Sequence, residues 1–281
     1  MSEQGGRGGV DIAGMGVVFN ARGSLVEAVS SVDLQVRPGE FVSLIGPSGC
    51  GKSTLLNIVA GFVEPTTGSV LVDGDPVRGP SSDRGVVFQQ YSLFPWLSVR
   101  KNVEFGLKMK GIPASQRVTQ ARTLLGLAGL LAFENHYPDQ LSGGMKQRVG
   151  IVRALATSPQ VLLMDEPFGA LDAQTRTVMQ EILTNMWQQF RISVLFVTHD
   201  IEESIFLSDR IYVMTARPGR IKAEIKVPLP RPRTPEFIGL VQQLKGLIRE
   251  ESLAAMGSEL KEGGLSGFGV EVGPKGVGEM V

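Results

Sequence analysis

Residues 46–53 read Gly-Pro-Ser-Gly-Cys-Gly-Lys-Ser, which matches the pattern G-x-x-x-x-G-K-[ST] at every fixed position. Residues 40–45 (EFVSLI) form a short run typical of a strand, and residues 55–59 carry apolar side chains at helical spacing. In a strand, glycine loop and helix joined in this order, backbone N–H groups can turn inward around phosphate oxygens beside a helix N-terminus that favours anions. The segment therefore predicts a nucleotide phosphate site on an α/β fold.

The side chains of this loop predict separate roles. Lys52 supplies a full positive charge to the outer phosphates, and the hydroxyl of Ser53 is placed to hold Mg²⁺. Cys50 has two interpretations, a reactive thiol at a helix N-terminus or a small side chain that fills space under the loop. The absence of an identifiable base beside it favours the second. The residues predicted to cradle the phosphates are Gly46, Pro47, Ser48, Gly49, Cys50, Gly51, Lys52, Ser53 and Thr54.

Two acids follow a second apolar run, at residues 161–164. Ligands bind at the carboxyl edge of open parallel sheets, so Asp165 and Glu166 should face the phosphates. Asp165 fits the ordering of Mg²⁺, and Glu166 can polarise the attacking water as a general base. A third run at residues 192–197 precedes His199. We expect His199 at the same edge as a γ-phosphate contact, although a lone histidine is often structural.

A second helix start suited to anions lies at residues 141–147, which read L-S-G-G-M-K-Q. Ser142 is a natural N-cap, and Gly143 and Gly144 leave backbone amides open. The chain therefore has two helix N-termini suited to phosphate. One nucleotide can lie between them only if they converge, either within one subunit or across two.

The remaining segments predict three further parts. Residues 17–19, 25–36 and 69–73 alternate in polarity and predict a small antiparallel sheet. Residues 98–137 are rich in helix formers and predict a helical insertion, with an apolar group at Leu124, Leu125, Leu127, Leu130 and Leu131. The third part, after the proline-rich residues 228–232, is a helix followed by a glycine-rich tail that we expect to be mobile. The apolar positions of that helix are Phe237, Leu240, Val241, Leu244, Leu247 and Ile248.

Composition limits the partners of the chain. Among 281 residues, 28 Lys and Arg balance 28 Asp and Glu, so there is no basic field for nucleic acid. The single cysteine cannot form an internal disulfide, which suits a reducing compartment such as the cytosol. The apolar runs are only of strand length, so we expect any link to a membrane to come through a partner protein.

In this order, the motifs resemble the ATP-binding subunits of ABC transporters over about residues 10–230, and L-S-G-G-M-K-Q is the most specific of them. The resemblance implies an α/β, RecA-like P-loop NTPase with a parallel-sheet core, an N-terminal antiparallel β subdomain and a helical insertion at about residues 92–150. Residues 1–230 would form this domain, and residues 231–281 a C-terminal helix and flexible tail.

The same resemblance implies roles for individual residues. Gln89 would contact Mg²⁺ and water and sense a membrane partner, and Phe19 would stack on adenine, although a lone aromatic often only packs. Asp172 belongs to a loop resembling the one that crosses the dimer interface. Two subunits would pair head to tail, with the signature of one closing over the ATP bound at Lys52 of the other. The signature residues concerned are Ser142, Gly143, Gly144 and Gln147.

Residues 93–97 and 213–221 look like those of the nitrate, sulfonate and taurine importer branch. That branch implies a peripheral ATPase, with ATP and Mg²⁺ as its cofactors, on the cytoplasmic face of the membrane. Its partners would be permease subunits and, indirectly, an extracytoplasmic solute-binding protein. Phe94, Pro95 and Trp96 would form a groove for a permease helix, unless they are simply core.

Two alternatives belong to other functional classes. A soluble ABC-type ATPase of DNA repair or translation usually carries two ATPase units or a long coiled coil, and residues 98–137 are too short for one. A phosphoryl-transferring kinase would need an acceptor pocket, and that hypothesis leaves L-S-G-G-M-K-Q unexplained.

Overall fold

A computed structural model describes residues 7–21, 24–231, 233 and 238–262 of the chain. Ten strands lie in these ranges: β1 (Val10–Ala21), β2 (Ser24–Val36), β3 (Phe41–Ile45), β4 (Thr67–Val72), β5 (Asp75–Pro76), β6 (Arg84–Val87), β7 (Val161–Asp165), β8 (Ser193–Val197), β9 (Arg210–Met214) and β10 (Ile221–Lys226). The α-helices in the same ranges are α1 (Lys52–Ala60), α2 (Val99–Met109), α3 (Ala114–Leu127), α4 (Gly143–Ala156), α5 (Ala173–Phe190), α6 (Ile201–Leu207) and α7 (Ile238–Glu262).

The larger sheet has six strands in the order β10-β9-β3-β8-β7-β6, and all but β10 run parallel. Strands β3 and β8 are buried along their whole length, as expected for strands covered on both faces. Their continuous apolar runs carry the sequence signal that predicted them. The parallel α/β core is confirmed.

Strands β6 and β9 were not predicted from the sequence. Strand β6 has only four residues, and β9 begins with an arginine although all of it is buried. Burial of Arg210 is offset by ion pairs with Glu40, at 3.0 Å, and Glu224, at 2.9 Å. Glu40 lies 170 residues away in the sequence and Glu224 is on the next strand, β10, so the pattern within β9 itself does not indicate this strand.

The smaller sheet is antiparallel, in the order β2-β1-β4-β5. Its inner residues pack with those of α1 and of the larger sheet in one apolar cluster that includes Val10, Val29, Leu55 and Leu195. The predicted N-terminal antiparallel subdomain is therefore confirmed. It lies against the helix that follows the phosphate loop.

The predicted helical insertion is also present, as α2, α3 and the start of α4. Leu124, Leu125 and Leu130 are buried, whereas Leu127 and Leu131 are exposed. Helix α3 ends at Leu127, and Gly129 takes a left-handed φ of 66°, so Leu131 lies beyond the helix and does not continue its apolar face.

Helix α7 packs against the edge of the larger sheet, where Leu244 is fully buried in a cluster with Ile205, Ile211 and Val213. Val241, Leu247 and Ile248 lie beside it. Phe237 and the predicted glycine-rich tail fall outside the described residues. Within the described ranges, the helices lack a segment with the length and apolarity required to span a membrane.

Candidate nucleotide-binding site

Residues 46–51 connect β3 to α1 and wrap around the amine of Lys52. Gly49 and Gly51 have φ values of 74° and 99°, a left-handed conformation that glycine adopts at little cost. Lys52 is only 6 % exposed, and its Nζ donates to the carbonyl oxygens of Gly46 and Pro47, both at 2.9 Å. The backbone of the loop therefore fixes the position of the Lys52 amine.

A cleft of about 280 Å³ opens over this loop. It brings together segments that are far apart in the sequence, including Phe19 on β1 and Glu166 at the end of β7. Phe19 is 41 % exposed at the open side of the cleft. The lining residues are Phe19, Val26, Ala28, Ser48, Gly49, Gly51, Lys52, Ser53, Thr54, Glu166 and Arg217.

Ser53, which lines the cleft, is hydrogen-bonded to Asp165 at the end of β7. The Ser53 hydroxyl donates to Asp165 Oδ1 at 3.0 Å. Burial is the main cause that raises the pKa of Asp165, and the charge of Glu166 adds to it, while the Ser53 hydrogen bond opposes it. A hydroxyl and a carboxylate oxygen are ligands that suit Mg²⁺, which usually combines one or two carboxylates with substrate phosphates. The donor set therefore fits the predicted magnesium site.

Glu166 has an unusual backbone. Its φ is 42°, a left-handed value that is rare outside glycine and is found where surrounding structure enforces it. Its N–H donates to Val197 O on β8 at 2.9 Å, and its carbonyl accepts from Gly169 N–H at 3.2 Å. Its side chain reaches His199, with Glu166 Oε2 and His199 Nδ1 3.1 Å apart. The carboxylate lines the cleft, as a general base for water would have to do.

Gln89 lies two residues after β6, which pairs with β7 in the register Val87 to Met164. It is therefore at the same edge of the sheet as Asp165. Its side chain is exposed and is not among the residues that line the cleft. The role predicted for Gln89 stays a prediction.

The second predicted anion site is formed as a helix start. Ser142 is the N-cap of α4, and its Oγ accepts from Met145 N–H at 3.3 Å. Gly144 is buried and packs closely on α5, since a Cβ there would lie 2.6 Å from Thr175 Cγ2. Gln147 is buried, and its side-chain amide has no hydrogen-bond partner among the described residues. Within the part of the chain that the structure describes, none of residues 142–147 lines the cleft over Lys52.

Asp172 and Cys50 both have local structural roles. Asp172 caps α5 by accepting from Thr175 N–H at 2.9 Å and Thr175 Oγ1 at 2.7 Å, and these bonds lower its pKa. Cys50 is buried under the loop, where desolvation raises the pKa of its thiol. A raised thiol pKa disfavours the reactive thiolate, so the geometry supports the space-filling interpretation of Cys50.

Arg217 is the one charged residue of this lining that the sequence did not indicate by itself. It follows β9, and a Cβ built on Gly49 would lie 3.8 Å from its Nη2. Residues 213–221 carry a family resemblance, but that resemblance does not imply a role for Arg217. A basic residue in a turn after an apolar strand gives no local signal of a position beside the phosphate loop.

Comparison with known proteins places this geometry in context. A family model described as "ABC transporter" matches residues 29–169. An uncharacterized ABC transporter ATP-binding protein of Methanocaldococcus jannaschii, MJ0412, is 50 % identical over 85 % of this chain and 91 % of its own length. The nitrate import ATP-binding protein NrtD of a Synechocystis species is 46 % identical over 85 % of this chain and 95 % of its own. The taurine import ATP-binding protein TauB of Yersinia pestis is 51 % identical over 69 % and 76 %, respectively.

Two solved structures of an ABC transporter cassette are also similar to this chain. The dimeric structure of MJ0796, a bacterial ABC transporter cassette, is 35 % identical and superposes with a TM-score of 0.71. A dimeric post-hydrolysis state of MJ0796 bound to ADP and Pi has a TM-score of 0.70 at the same identity. Both cover 79 % of this chain and all of the solved chain.

Proposed function

Because the chain belongs to the family of ABC transporter ATP-binding proteins, and is an ATPase of the branch that contains the nitrate and taurine importers, we propose that it works as a pair of cassettes on a separate permease. ATP binding would close the pair, and hydrolysis to ADP and phosphate would reopen it. The alternative of a soluble ABC-type ATPase is not favoured by these relatives.

The proposal rests on the separation of the two predicted phosphate-binding parts within one chain. The Lys52 cleft holds a phosphate loop and a candidate base, whereas the helix start at Ser142 is exposed and does not line that cleft. A second anion-binding helix start is of use to the same nucleotide only if another subunit supplies it. The two solved structures of the MJ0796 cassette are dimeric, which supports a working pair of cassettes.

Different residues of this chain would bind the nucleotide, hold the metal ion and activate the water. Lys52 and the amides of the loop hold the phosphates, and Glu166 takes a proton from the attacking water. Ser53 and Asp165 would hold Mg²⁺, which supplies charge neutralisation at the phosphates when it is bound. His199, 3.1 Å from Glu166, orients that carboxylate and is placed to contact the terminal phosphate. Phe19 at the open side of the cleft offers a ring face to adenine.

Closure of the dimer also accounts for the remaining site predictions. Ser142, Gly143 and Gly144 would meet the γ-phosphate from the partner subunit, and Asp172 would lie near the interface at the start of α5. We place Gln147 inside α4 as support for this helix start, because its side chain is buried. Gln89, exposed at the same sheet edge, would couple the site to the permease.

The surface around Trp96 is our candidate for the permease contact. Trp96 is 71 % exposed beside a cavity of about 360 Å³, also lined by Leu97, Phe105 and Lys108. Phe94 lies beneath it, with ring centroids 5.6 Å from Trp96 and 4.6 Å from Phe105. An exposed aromatic on an apolar base is typical of interface anchors. Binding there would place the chain on the cytoplasmic face of the membrane, and the solute would be a small anion or zwitterion such as nitrate, a sulfonate or taurine.

Mixing two defective chains tests the shared site. In a Glu166→Gln background, which should slow hydrolysis, Lys52→Ala removes one half of each site and Ser142→Arg blocks the other. Each variant alone should stay monomeric with ATP in light scattering. The mixture should form dimers that retain one ATP per two chains, because one of the two composite sites is intact.

A dimer formed by the Ser142→Arg variant alone would contradict the shared site. A mixture that stays monomeric while the Glu166→Gln parent dimerises would also contradict it. Ser115→Arg, an exposed serine on α3, is the matched control and should dimerise on its own.

A further inference from the structure

We propose that Arg217 is a further nucleotide-binding residue, which adds a second fixed positive charge to the phosphate chain of the nucleotide. The inference rests on the proposed nucleotide site at Lys52. It concerns a residue outside the phosphate loop, the acid pair and the signature, in the turn between β9 and β10.

The position of the guanidinium carries the proposal. Arg217 lines the same cleft as Lys52 and Glu166, and its Nη2 lies 3.8 Å from where a Cβ on Gly49 would be. Gly49 is in the middle of the phosphate loop, so the charge lies over the backbone that surrounds the phosphates. Among the described residues, Arg217 has no hydrogen-bond or ion-pair partner, and its side chain is exposed to the cleft.

The turn that carries Arg217 is fixed to the loop by its glycine. Gly219 N–H donates to Ala28 O at 3.0 Å, and Ser30 N–H donates to Gly219 O at 2.9 Å. A Cβ on Gly219 would collide with the carbonyl oxygen of Cys50. Only a residue without a side chain allows this approach, and the approach brings Arg217, two residues earlier, beside the phosphate loop.

The other end of the turn is fixed by the C-terminal helix. Ala216 N–H donates to Glu251 Oε2 on α7 at 2.8 Å, and Lys222 pairs with the same carboxylate at 2.9 Å. Arg217 therefore sits between two anchored positions, Ala216 and Gly219. An arginine whose backbone is anchored in this way loses less conformational freedom when it binds a ligand than one on a mobile loop.

The charges in the cleft explain why a second cation is useful there. Asp165 and Glu166 bring two carboxylates close to the site of a polyanion. Lys52 donates to the carbonyl oxygens of Gly46 and Pro47 and to Cys50 Sγ, all within the loop. An arginine offers five N–H donors in a planar fork that matches phosphate oxygens. The free guanidinium of Arg217 can therefore bind oxygens that Lys52 does not reach.

The phosphate chain is a better match than the base. The aromatic side of the cleft, at Phe19 and Val26, is built from β1 and β2, whereas Arg217 lies over the phosphate loop itself. A contact to phosphates predicts an effect that grows with the number of phosphates. A contact to adenine or ribose would affect ATP, ADP and AMP alike.

Titration calorimetry in magnesium-free buffer, where turnover is excluded, tests the proposal. We expect Arg217→Ala to raise the Kd for ATP about tenfold, a loss of about 1.4 kcal/mol, and to leave the Kd for AMP nearly unchanged. Arg217→Lys keeps the charge without the fork and should raise the Kd for ATP only about threefold. Arg220→Ala, an exposed arginine of the same turn that does not line the cleft, is the matched control and should bind like the parent.

Lys52→Ala separates this inference from the site on which it rests. If Lys52→Ala weakens ATP binding while Arg217→Ala and the parent agree within twofold, Arg217 is not a nucleotide contact. Equal losses for ATP and AMP would assign the contact to the nucleoside and overturn the phosphate role. If Lys52→Ala itself has no effect, the proposed nucleotide site is wrong. Thermal unfolding of every variant should stay within about 2 °C of the parent, and Arg217→Lys provides the measurement if the alanine variant does not fold.

Discussion

The Nδ1 atom of His199 lies 3.1 Å from Oε2 of Glu166, although 33 residues separate them in the sequence. The contact joins the ends of two neighbouring parallel strands, β7 and β8, whose register pairs Asp165 with Val197. Glu166 accepts it from a left-handed backbone conformation that directs its side chain into the cleft. The pair therefore combines a candidate base and a group that can orient it, at the edge where the phosphates would lie.

Replacement of Glu166 by glutamine should separate binding from hydrolysis. The amide keeps the size of the side chain but cannot take a proton from water, so we expect ATP affinity within about threefold of the parent and a rate at least 100-fold lower. Steady-state phosphate release and equilibrium ATP binding measure the two quantities. Glu181→Gln, an exposed glutamate on α5, should leave both unchanged. Hydrolysis near the parent rate in Glu166→Gln would remove this carboxylate from the mechanism.

The phosphate loop, the acid pair and the central strands could be predicted because each is encoded in a contiguous segment. Residues 40–53 and 161–166 each carry both the chemistry and the strand-forming run that positions it. The meeting of these segments followed from one rule, that carboxyl ends of parallel strands share an edge. This is why Asp165 could be expected beside Ser53 from the sequence alone.

Other features depend on contacts between distant segments and left no local pattern. Arg217 reaches the cleft because Gly219 packs on Cys50, and strand β9 can bury Arg210 because Glu40 and Glu224 meet it. Burial of Gln147 is a similar case. The helical spacing of the apolar residues in α4 does not show whether this polar side chain faces the core or the solvent. Tertiary packing decides all three.

Removal of one magnesium ligand should raise the magnesium requirement. In Ser53→Ala the hydroxyl that bonds Asp165 is lost, so we expect the free Mg²⁺ concentration for half-maximal hydrolysis to rise by about tenfold. Chelation of Mg²⁺ should stop hydrolysis in the parent. The activity is measured over a Mg²⁺ titration, with Ser115→Ala on α3 as the matched control.

The same titration has an expected pH dependence. The pKa of Asp165 is raised, mainly by burial, so this carboxylate takes up a proton at a higher pH than an exposed aspartate does. Protonation competes with the metal, and the Mg²⁺ requirement of the parent should therefore increase as the pH falls. If the Mg²⁺ concentration for half-maximal hydrolysis were the same in Ser53→Ala as in the parent, the result would contradict the assignment of the Ser53 hydroxyl as a magnesium ligand.

Truncation of Trp96 should uncouple the chain from its membrane partner. The side chain is 71 % exposed, so Trp96→Ala should change the unfolding free energy by less than about 0.5 kcal/mol and leave basal hydrolysis intact. Loss of an aromatic interface anchor typically costs about 2 kcal/mol or more, so co-purification with co-expressed permease subunits should fall at least tenfold. Leu253→Ala on α7, also exposed, is the control. Full recovery of the complex with Trp96→Ala would exclude this surface as the permease contact.

The stability of the fold should depend on pH through Glu203. This glutamate on α6 is 4 % exposed and accepts hydrogen bonds from Thr198 and from Gln180, the latter at 3.3 Å. Burial is the largest cause that raises its pKa to about 7, the charge of Asp200 adds to the increase, and Arg176 opposes it. Glu203 lines a second cleft, between α5, α6 and α7; the cations that line it are Arg176 and Lys245, and the other acids are Asp200 and Glu202.

The sign of the effect follows from the raised pKa of Glu203. Between the ordinary glutamate pKa and about 7, the folded state binds more protons than the unfolded state, so the free energy of unfolding should fall as the pH rises through this window. The loss attributable to Glu203 is about 3 kcal/mol when complete. Glu203→Gln cannot ionise, so its denaturant-unfolding free energy should decline less than that of the parent between pH 5 and pH 8. Glu202→Gln, its exposed neighbour, should retain the decline of the parent. Equal slopes for the parent and Glu203→Gln would show that the buried carboxyl does not titrate in this range.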